Sequence, residues 1–208
     1  MEYTQTYESP LGTLLLSSDG EALTGLWFTT EQRFLAYTLE GGQDAITAAT
    51  RAAGATGPAA VTSAAGVASA GPACADLPVF AQTRAWLDAY FGNPGVDPGP
   101  IPPVNPQVTP FRREVCAIMA RIPYGQSVTY GQIAQELADR HGKRMSAQAV
   151  GGAVGHNPIG IIIPCHRVVG AGGNLTGYGG GMKRKVALLE LEGFDMSRFT
   201  VPTKGTAL

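Results

Sequence analysis

A proline-rich stretch near the middle of the chain limits its fold more than any other feature. Residues 93–107 contain Pro94, Pro98, Pro100, Pro102, Pro103 and Pro106. Proline fixes φ and lacks a backbone N–H, so neither a helix nor a central strand can continue through this stretch. Such a run is typical of a stiff, extended connector. The sequence therefore predicts two domains, residues 1–105 and 106–195, followed by a tail at residues 196–208.

The part before the connector has the pattern of short antiparallel strands. Apolar or alternating runs separated by turn residues cover residues 3–8, 14–17 and 23–28. Residues 41–76 are instead rich in alanine and glycine and hold few large apolar side chains, which indicates an insertion that buries little area. A helix is expected after this insertion, because apolar residues recur at helical spacing from Val79 to Tyr90.

The part after the connector has the pattern of helices that begin at polar residues. Thr109 is predicted to cap one helix, with Pro110 at its first position. Thr129 and Gln132 match the capping box that opens a second helix. Ser146 is predicted to cap a third, short helix of small residues. Two capped helices joined by a turn are typical of a helix-turn-helix.

The most informative short motif is Pro164-Cys165-His166-Arg167. The isoleucine-rich residues 159–163 before it predict a short buried strand that ends at the cysteine. The thiolate is the nucleophilic form of cysteine, and neighbouring cationic or proton-accepting groups favour it. The motif therefore indicates a reactive cysteine. The alternative is an inert cysteine buried as a small apolar side chain.

Charge is distributed unevenly along the chain. Residues 1–105 carry three basic and ten acidic side chains, a net charge of −7, whereas residues 106–208 carry twelve basic and six acidic ones, a net charge of +6. A basic half is suited to a polyanion such as nucleic acid. An ordinary solvated surface is the alternative that charge alone leaves open.

The last predicted helix, residues 182–192, is charged against its own dipole. Lys183, Arg184 and Lys185 lie in its first turn and Glu192 in its last, where the opposite charges would be more favourable. Phosphate contact would explain the basic trio, and an imidazole partner would explain Glu192. A solvated helix end is the alternative.

Two groups of glycines also require explanation. Gly151 and Gly152 weaken the short helix by about 1 kcal/mol each relative to alanine, which makes sense if another backbone, of a strand or of DNA, comes close. The glycine-rich residues 170–181 lack the phosphate-loop pattern. They predict either a close backbone approach to a flat ligand or a mobile linker.

Cysteine usage and hydropathy exclude several classes of protein. Cys74, Cys116 and Cys165 are widely spaced, which argues against a disulfide framework and for a reducing, cytoplasmic compartment. Without a Cys-x-x-Cys pair or a nucleotide-binding fingerprint, we expect neither a metal nor another cofactor. No secretory signal is expected, and no apolar run reaches the roughly 18 residues that would predict a membrane span.

Several motifs along residues 109–193 resemble, in order, those of the methylated-DNA–protein-cysteine alkyltransferases. They are Thr109-Pro110-Phe111, Ile122-Pro123-Tyr124-Gly125, Thr129-Tyr130-Gly131-Gln132-Ile133-Ala134, Ala149-Val150-Gly151, Asn157-Pro158, Pro164-Cys165-His166-Arg167-Val168 and Thr176-Gly177-Tyr178. The resemblance implies an α/β protein with an N-terminal ribonuclease-H-like sheet domain and a C-terminal helical domain that carries a helix-turn-helix and an active-site strand. It implies repair of O6-alkylguanine in double-stranded DNA by a monomer that is consumed in the reaction. O4-alkylthymine is a second candidate substrate.

The same resemblance implies catalytic roles. Cys165 attacks the alkyl carbon of a flipped guanine and keeps the alkyl group. His166 accepts the thiol proton through a water, and Glu192 orients its ring. Tyr130 donates to the departing guanine, and Asn157 braces the turn before the active-site strand.

Binding residues are implied as well. Val168, Tyr178 and Gly179 would line the base pocket, and Arg167 would be structural. DNA contacts are implied for Tyr130, Ser146, Gln148, Ala149, Gly152, Lys183, Arg184 and Lys185. Gln148 stands where well-studied members carry an arginine that fills the gap left by the flipped base.

Two other functions fit parts of this pattern. A DNA-binding regulator could use the helix-turn-helix without chemistry, although the intact Cys165 argues against it. A cysteine hydrolase would need a stable acyl-enzyme, and no context like Cys-Gly-Ser-Cys-Trp is present. Methylation of Cys165 by O6-methylguanine DNA would distinguish alkyl transfer from both.

Overall fold

The computed structural model describes residues 2–30 and 77–201 of the chain. The predicted insertion at residues 41–76 and the last seven residues of the predicted tail lie outside these two stretches. Within them, no helix combines the length and the apolar character that crossing a membrane requires.

Three antiparallel strands form the first sheet, in the order β1 (Tyr3–Ser9), β2 (Gly12–Ser18) and β3 (Leu23–Phe28). These strands confirm the three predicted runs, with ends that differ by two residues at most. Helix α1 (Pro78–Gly92) packs on β1 and β2 and begins and ends close to the predicted limits. The buried residues of α1 recur at helical spacing, because they lie on the face of the helix that packs against the apolar side of the sheet.

The proline-rich connector begins with a turn, in which the N–H of Val96 donates to the carbonyl of Asn93, and its later part pairs with β3. The N–H of Leu23 donates to the carbonyl of Pro103 at 2.9 Å, and the N–H of Asn105 donates to the carbonyl of Leu23 at 2.7 Å. Since β3 is the last strand of its sheet, its outer edge would otherwise leave these groups unpaired. The connector therefore covers the first part of this edge.

The remaining elements are mostly helical. They are α2 (Pro110–Met119), β4 (Val128–Thr129), α3 (Tyr130–His141), α4 (Ala147–Val154), β5 (Val168–Val169) and α5 (Met182–Leu191). The short strands β4 and β5 pair in parallel. The capping box of Thr129 and Gln132 is confirmed, and so is the cap by Ser146, whose Oγ accepts from the N–H of Ala149 at 3.1 Å. Thr109 precedes α2, but its side chain makes no capping hydrogen bond to a described residue.

The buried strand predicted at residues 159–163 is wrong. Ile159 makes a single bridge to Leu26 on the outer edge of β3, and the chain then turns. Ile161 has a φ of 66°, which a strand cannot contain. All four isoleucines of the segment are buried, so its apolar character reflects burial in a turn rather than a pleated strand.

One contiguous core joins the two predicted parts of the chain. Leu26 and Phe28 of β3 and Tyr90 of α1 belong to the same buried cluster as Leu137 of α3 and Leu188 of α5. The segment before Cys165 follows this shared core along the edge of β3. The candidate site consequently has side chains from both parts within reach. The division into two domains stays a prediction.

Candidate active site

Cys165 lies at the start of a one-turn 3-10 helix, Cys165–Arg167, after a braced turn. The brace is Asn157, whose buried amide nitrogen donates to the carbonyl of Ile163 at 2.7 Å. Its amide oxygen accepts from the N–H of Ile159 at 3.1 Å. Because these bonds close the loop from inside, they fix the direction in which the chain reaches the half-buried Cys165.

Directly after Cys165, a buried cluster of polar side chains gathers around the Glu192 carboxylate. Nε2 of His166 lies 2.7 Å from Oε1 of Glu192. Arg167 donates to both carboxylate oxygens, through Nε to Oε2 at 2.8 Å and through Nη2 to Oε1 at 2.9 Å. The hydroxyl of Tyr90 donates to Oε1 at 2.8 Å. The four side chains are buried, and the shared donors compensate the carboxylate for its loss of water.

Burial and the neighbouring charges of this cluster determine the protonation state of His166. Burial lowers the pKa of His166, against the opposing effect of Glu192, so the imidazole is neutral at pH 7. Burial by itself would raise the pKa of Glu192, but the hydrogen bonds from His166 and Arg167, together with the charge of Arg167, bring it well below its usual value. A neutral ring beside a carboxylate carries its proton on Nε2. Nδ1 is then the basic nitrogen, and it is buried with no hydrogen-bond partner among the described residues.

Two adjoining pockets open beside this cluster. The larger has a volume of about 1040 Å³ and is lined by residues that include Tyr130, Gln148 and Tyr178. The smaller pocket reaches Cys165. Both share Gly155 and residues 178–180, so the predicted lining residues Tyr178 and Gly179 form their common wall. The wall that the larger pocket shares with the pocket at Cys165 thus consists of Gly155, Tyr178, Gly179 and Gly180.

Val168 occupies a different place from the other predicted lining residues. It is fully buried in β5 and borders neither of these two pockets in the described structure. Its carbonyl accepts a hydrogen bond from Lys185. Val168 therefore supports the site from within the core.

Tyr130 lies at the start of α3 with its hydroxyl on the pocket side. That hydroxyl accepts a hydrogen bond from Oγ1 of Thr176 at 3.3 Å. Burial raises the pKa of Tyr130, so its own proton stays in place at neutral pH. A phenol in this state can still donate one hydrogen bond to a ligand.

Helix α4 presents its predicted DNA-binding residues to solvent. Ser146, Gln148, Ala149 and Gly152 are all exposed, and Gln148 lies on the rim of the larger pocket. No described strand comes close to the glycines of this helix. The Tyr130 ring lies 3.8 Å from where a Cβ of Gly151 would be, and no described atom lies within 4 Å of that point at Gly152.

The basic trio at the start of α5 does not act as a unit. Lys183 is exposed, and its phosphate contact stays a prediction. Arg184 donates to the carbonyls of Leu11 at 2.9 Å and of Gly180 at 3.0 Å, and its guanidinium lies 4.2 Å from the centre of the Phe28 ring. Arg184 is therefore held against the first sheet, and its predicted phosphate contact is not supported.

The predicted phosphate contact by Lys185 is wrong. It is fully buried, and its Nζ donates to the carbonyls of Val168 at 2.8 Å and of Thr176 at 3.0 Å. Burial lowers the pKa of Lys185 to about 8, with Cys165 acting in the opposite direction. A contact between this ammonium and DNA phosphate is ruled out by its burial. The unfavourable position on the helix dipole is offset by these two hydrogen bonds.

Sequence reasoning missed one member of the buried cluster. Tyr90 was predicted only as part of the apolar stripe of α1, yet its hydroxyl meets a carboxylate 102 residues away. The available signal was chemical, since the hydroxyl of a buried tyrosine needs a hydrogen-bond partner. Within residues 2–30 and 77–201, no three His, Cys, Asp or Glu side chains are arranged to hold a metal ion.

Comparison with known proteins gives consistent matches over both parts of the chain. Residues 3–97 match the family model described as the 6-O-methylguanine DNA methyltransferase ribonuclease-like domain, and residues 110–194 match that of its DNA-binding domain. A methylated-DNA–protein-cysteine methyltransferase of Haemophilus influenzae is 36% identical over 91% of this chain and 86% of its own length. One of Mycobacterium tuberculosis is 38% identical over 92% of this chain and 93% of its own.

Solved structures agree with these relatives. The crystal structure of the M. tuberculosis O6-methylguanine methyltransferase superposes with a TM-score of 0.59, at 34% identity over 98% of this chain and 97% of that one. The structure of the M. tuberculosis protein in complex with DNA gives a TM-score of 0.60, at 33% identity over 94% of each chain.

Proposed function

The chain belongs to the methylated-DNA–protein-cysteine methyltransferase family, and on this premise we propose that Cys165 takes the alkyl group from an O6-alkylguanine flipped out of double-stranded DNA. The protein is a DNA-repair methyltransferase that acts by direct reversal of damage.

The observation that carries the proposal is the buried His166, which follows Cys165 directly and is bonded to Glu192. Its Nε2 is held by Glu192, and its buried Nδ1 is available to accept a proton. Through a water, this nitrogen takes the proton of the Cys165 thiol. The thiolate attacks the alkyl carbon, a carbon–sulfur bond forms, and the bond from that carbon to O6 of guanine breaks.

The leaving guanine must be stabilised as the bond breaks. It departs with the bonding electron pair, and the Tyr130 hydroxyl donates a hydrogen bond to the ring on which the negative charge develops. The hydrogen bond from Thr176 holds the Tyr130 hydroxyl in position for this contact. Asn157 acts earlier, because it fixes the turn that presents Cys165.

DNA binding is assigned to the helix-turn-helix of α3 and α4. A base inside the duplex is out of reach, so it must leave the stack at a cost of a few kcal/mol. Ser146, Ala149 and Gly152 give α4 an exposed, small-residue surface that can approach the backbone closely. Gln148 occupies the gap left by the flipped base, and Lys183 supplies an exposed cation for phosphate.

We expect the carbon–sulfur bond of the thioether formed on Cys165 to be stable, so each protein molecule acts once. We expect a duplex with one O6-methylguanine to be repaired until one lesion has been removed per protein molecule, and no further on longer incubation. Counting restored guanine against protein by chromatography of DNA digests measures this ratio. Removal of several lesions per molecule would contradict the single-turnover proposal.

The role of Gln148 can be separated from its contribution to helix stability. Gln148→Ala removes the side chain while retaining helix propensity. Repair of duplex DNA should slow at least tenfold, whereas transfer from the free base O6-benzylguanine, which needs no flipping, should keep its rate. Rapid-quench assays on both substrates give the ratio. Gln135→Ala on the exposed face of α3 is the matched control, and an unchanged ratio in Gln148→Ala would refute intercalation.

Two further parts of the proposal follow from the chemistry. A thiol nucleophile must stay reduced, so we place the reaction in a reducing compartment such as the cytoplasm. We also propose that residues 106–195 form the catalytic domain and residues 1–105 a separate ribonuclease-H-like one, within a monomeric protein.

A further inference from the structure

On the basis of the proposed function, we propose that Tyr90 is a positioning residue for the alkyl-transfer reaction. Through Glu192 it keeps His166 oriented and in its neutral, proton-accepting form. The part of the chain before the connector would thereby complete the active site.

Tyr90, His166 and Arg167 all bond to the same carboxylate oxygen of Glu192. Oε1 of Glu192 lies 2.8 Å from the Tyr90 hydroxyl, 2.7 Å from Nε2 of His166 and 2.9 Å from Nη2 of Arg167. Tyr90 is fully buried, so no water replaces its hydroxyl at this oxygen. Any change in how Tyr90 donates therefore acts directly on the atom that holds His166.

The Tyr90 side chain is itself held in place by neighbouring aromatic rings. Its ring stacks on Trp86 with centroids 5.2 Å apart and planes at 11°, and it meets Phe91 and Tyr124 edge-on at 5.1 and 6.2 Å. A ring enclosed on these sides holds its hydroxyl in one place. Tyr90 and Arg167 thus fix the position of the Glu192 carboxylate from two sides, without any contact to substrate.

The hydrogen bond from Tyr90 also affects the proton affinity of His166. A hydrogen bond from Tyr90 stabilises the ionised carboxylate and weakens its pull on the imidazole proton. Among the described residues, the charged or titratable groups that act on His166, Glu192 or Tyr90 include Arg167, Lys185, Tyr124 and Tyr178, with Cys165 next to His166 in the chain. Tyr90 is the phenol whose hydroxyl bonds to Glu192, and burial raises its pKa well above its usual value, so it stays a donor throughout the working range. Loss of this donor should raise the pKa of His166 and place more of it in the inactive imidazolium form at neutral pH.

The test is Tyr90→Phe, which removes the hydroxyl and keeps the ring. Benzyl transfer from free O6-benzylguanine is measured against pH, so DNA binding plays no part. The acid limb of the rate profile should move to higher pH, and the rate at neutral pH should fall several-fold. A profile with its limb unmoved would overturn the proposal, even if the overall rate fell.

Tyr124→Phe is the matched control. Its hydroxyl donates to the carbonyl of Leu191 and accepts from the N–H of Gly95, each at 3.2 Å, and it belongs to the same aromatic cluster without bonding to Glu192. We expect its acid limb to coincide with that of the unmodified protein. An equal shift in both variants would assign the effect to general loosening and overturn the specific role of Tyr90.

A direct titration covers the case in which Tyr90→Phe is too unstable for clean kinetics. The pKa of the His166 ring, followed by NMR in both variants, should be higher in Tyr90→Phe than in Tyr124→Phe. Equal values would overturn the proposal. If the unmodified protein transfers no methyl group from O6-methylguanine duplex DNA to Cys165, the proposed function itself fails; normal transfer with coincident profiles removes only the role of Tyr90.

Discussion

Replacement of Cys165 with alanine is expected to abolish alkyl transfer while leaving DNA binding intact. In the proposed mechanism the thiolate acts only in the chemical step, whereas the exposed face of α4 and Lys183 are proposed to act in association with DNA. Transfer from O6-methylguanine duplex should fall to background, and the dissociation constant measured by fluorescence anisotropy should change less than twofold. Methyl transfer that survives in Cys165→Ala would remove the basis of the mechanism.

Cys116 provides the control for that experiment. Burial, with Cys165 adding to it, raises the pKa of Cys116 to about 12, so it remains a thiol at neutral pH. It is also buried in the core and borders neither of the two described pockets. Cys116→Ala should therefore retain full alkyl transfer, at the cost of a small cavity in the core.

Reversal of charge at Lys185 should destabilise the fold rather than weaken DNA binding alone. Lys185→Glu places a carboxylate against the carbonyl oxygens of Val168 and Thr176 at a fully buried position. An uncompensated buried charge typically costs about 3–5 kcal/mol. The free energy of unfolding, from denaturant titration, should fall by about this amount.

Lys183, two residues earlier in the same helix, gives the matched comparison. Lys183→Glu reverses the same charge at an exposed position, so its unfolding free energy should stay within about 0.5 kcal/mol of the original. Its effect should instead be weaker binding to DNA of any sequence, because a phosphate contact carries no base information. Equal stability of the two variants would contradict the buried position of Lys185.

Local patterns predicted much of this fold. The three strands of the first sheet, the helix that ends at Gly92 and the caps at Thr129 and Ser146 each depend on a short run of residues, so the sequence specifies them directly. The turn at residues 159–163 was predicted as a strand because an apolar run does not distinguish a buried strand from a buried turn. Its shape is set by Asn157 and by the edge of β3.

The charges at the ends of α5 show where sequence reasoning reaches its limit. The same dipole argument predicted an imidazole partner for Glu192 and phosphate contacts for Lys185. The first contact is present at 2.7 Å, whereas Lys185 is buried against two carbonyls. A misplaced charge indicates that a partner exists, but tertiary packing decides which partner it is. Tyr90 lies beyond local reasoning for the same reason, since its partner is remote in sequence.

The central claim is that Cys165 itself becomes alkylated, and peptide mass spectrometry tests it most directly. The protein is incubated with duplex DNA that contains O6-methylguanine and is then digested. We predict a gain of one methyl group on the peptide that contains Cys165, with the peptide that contains Cys116 unchanged. Repair of the lesion with the methyl group on another residue, or with no methylated peptide, would contradict the claim.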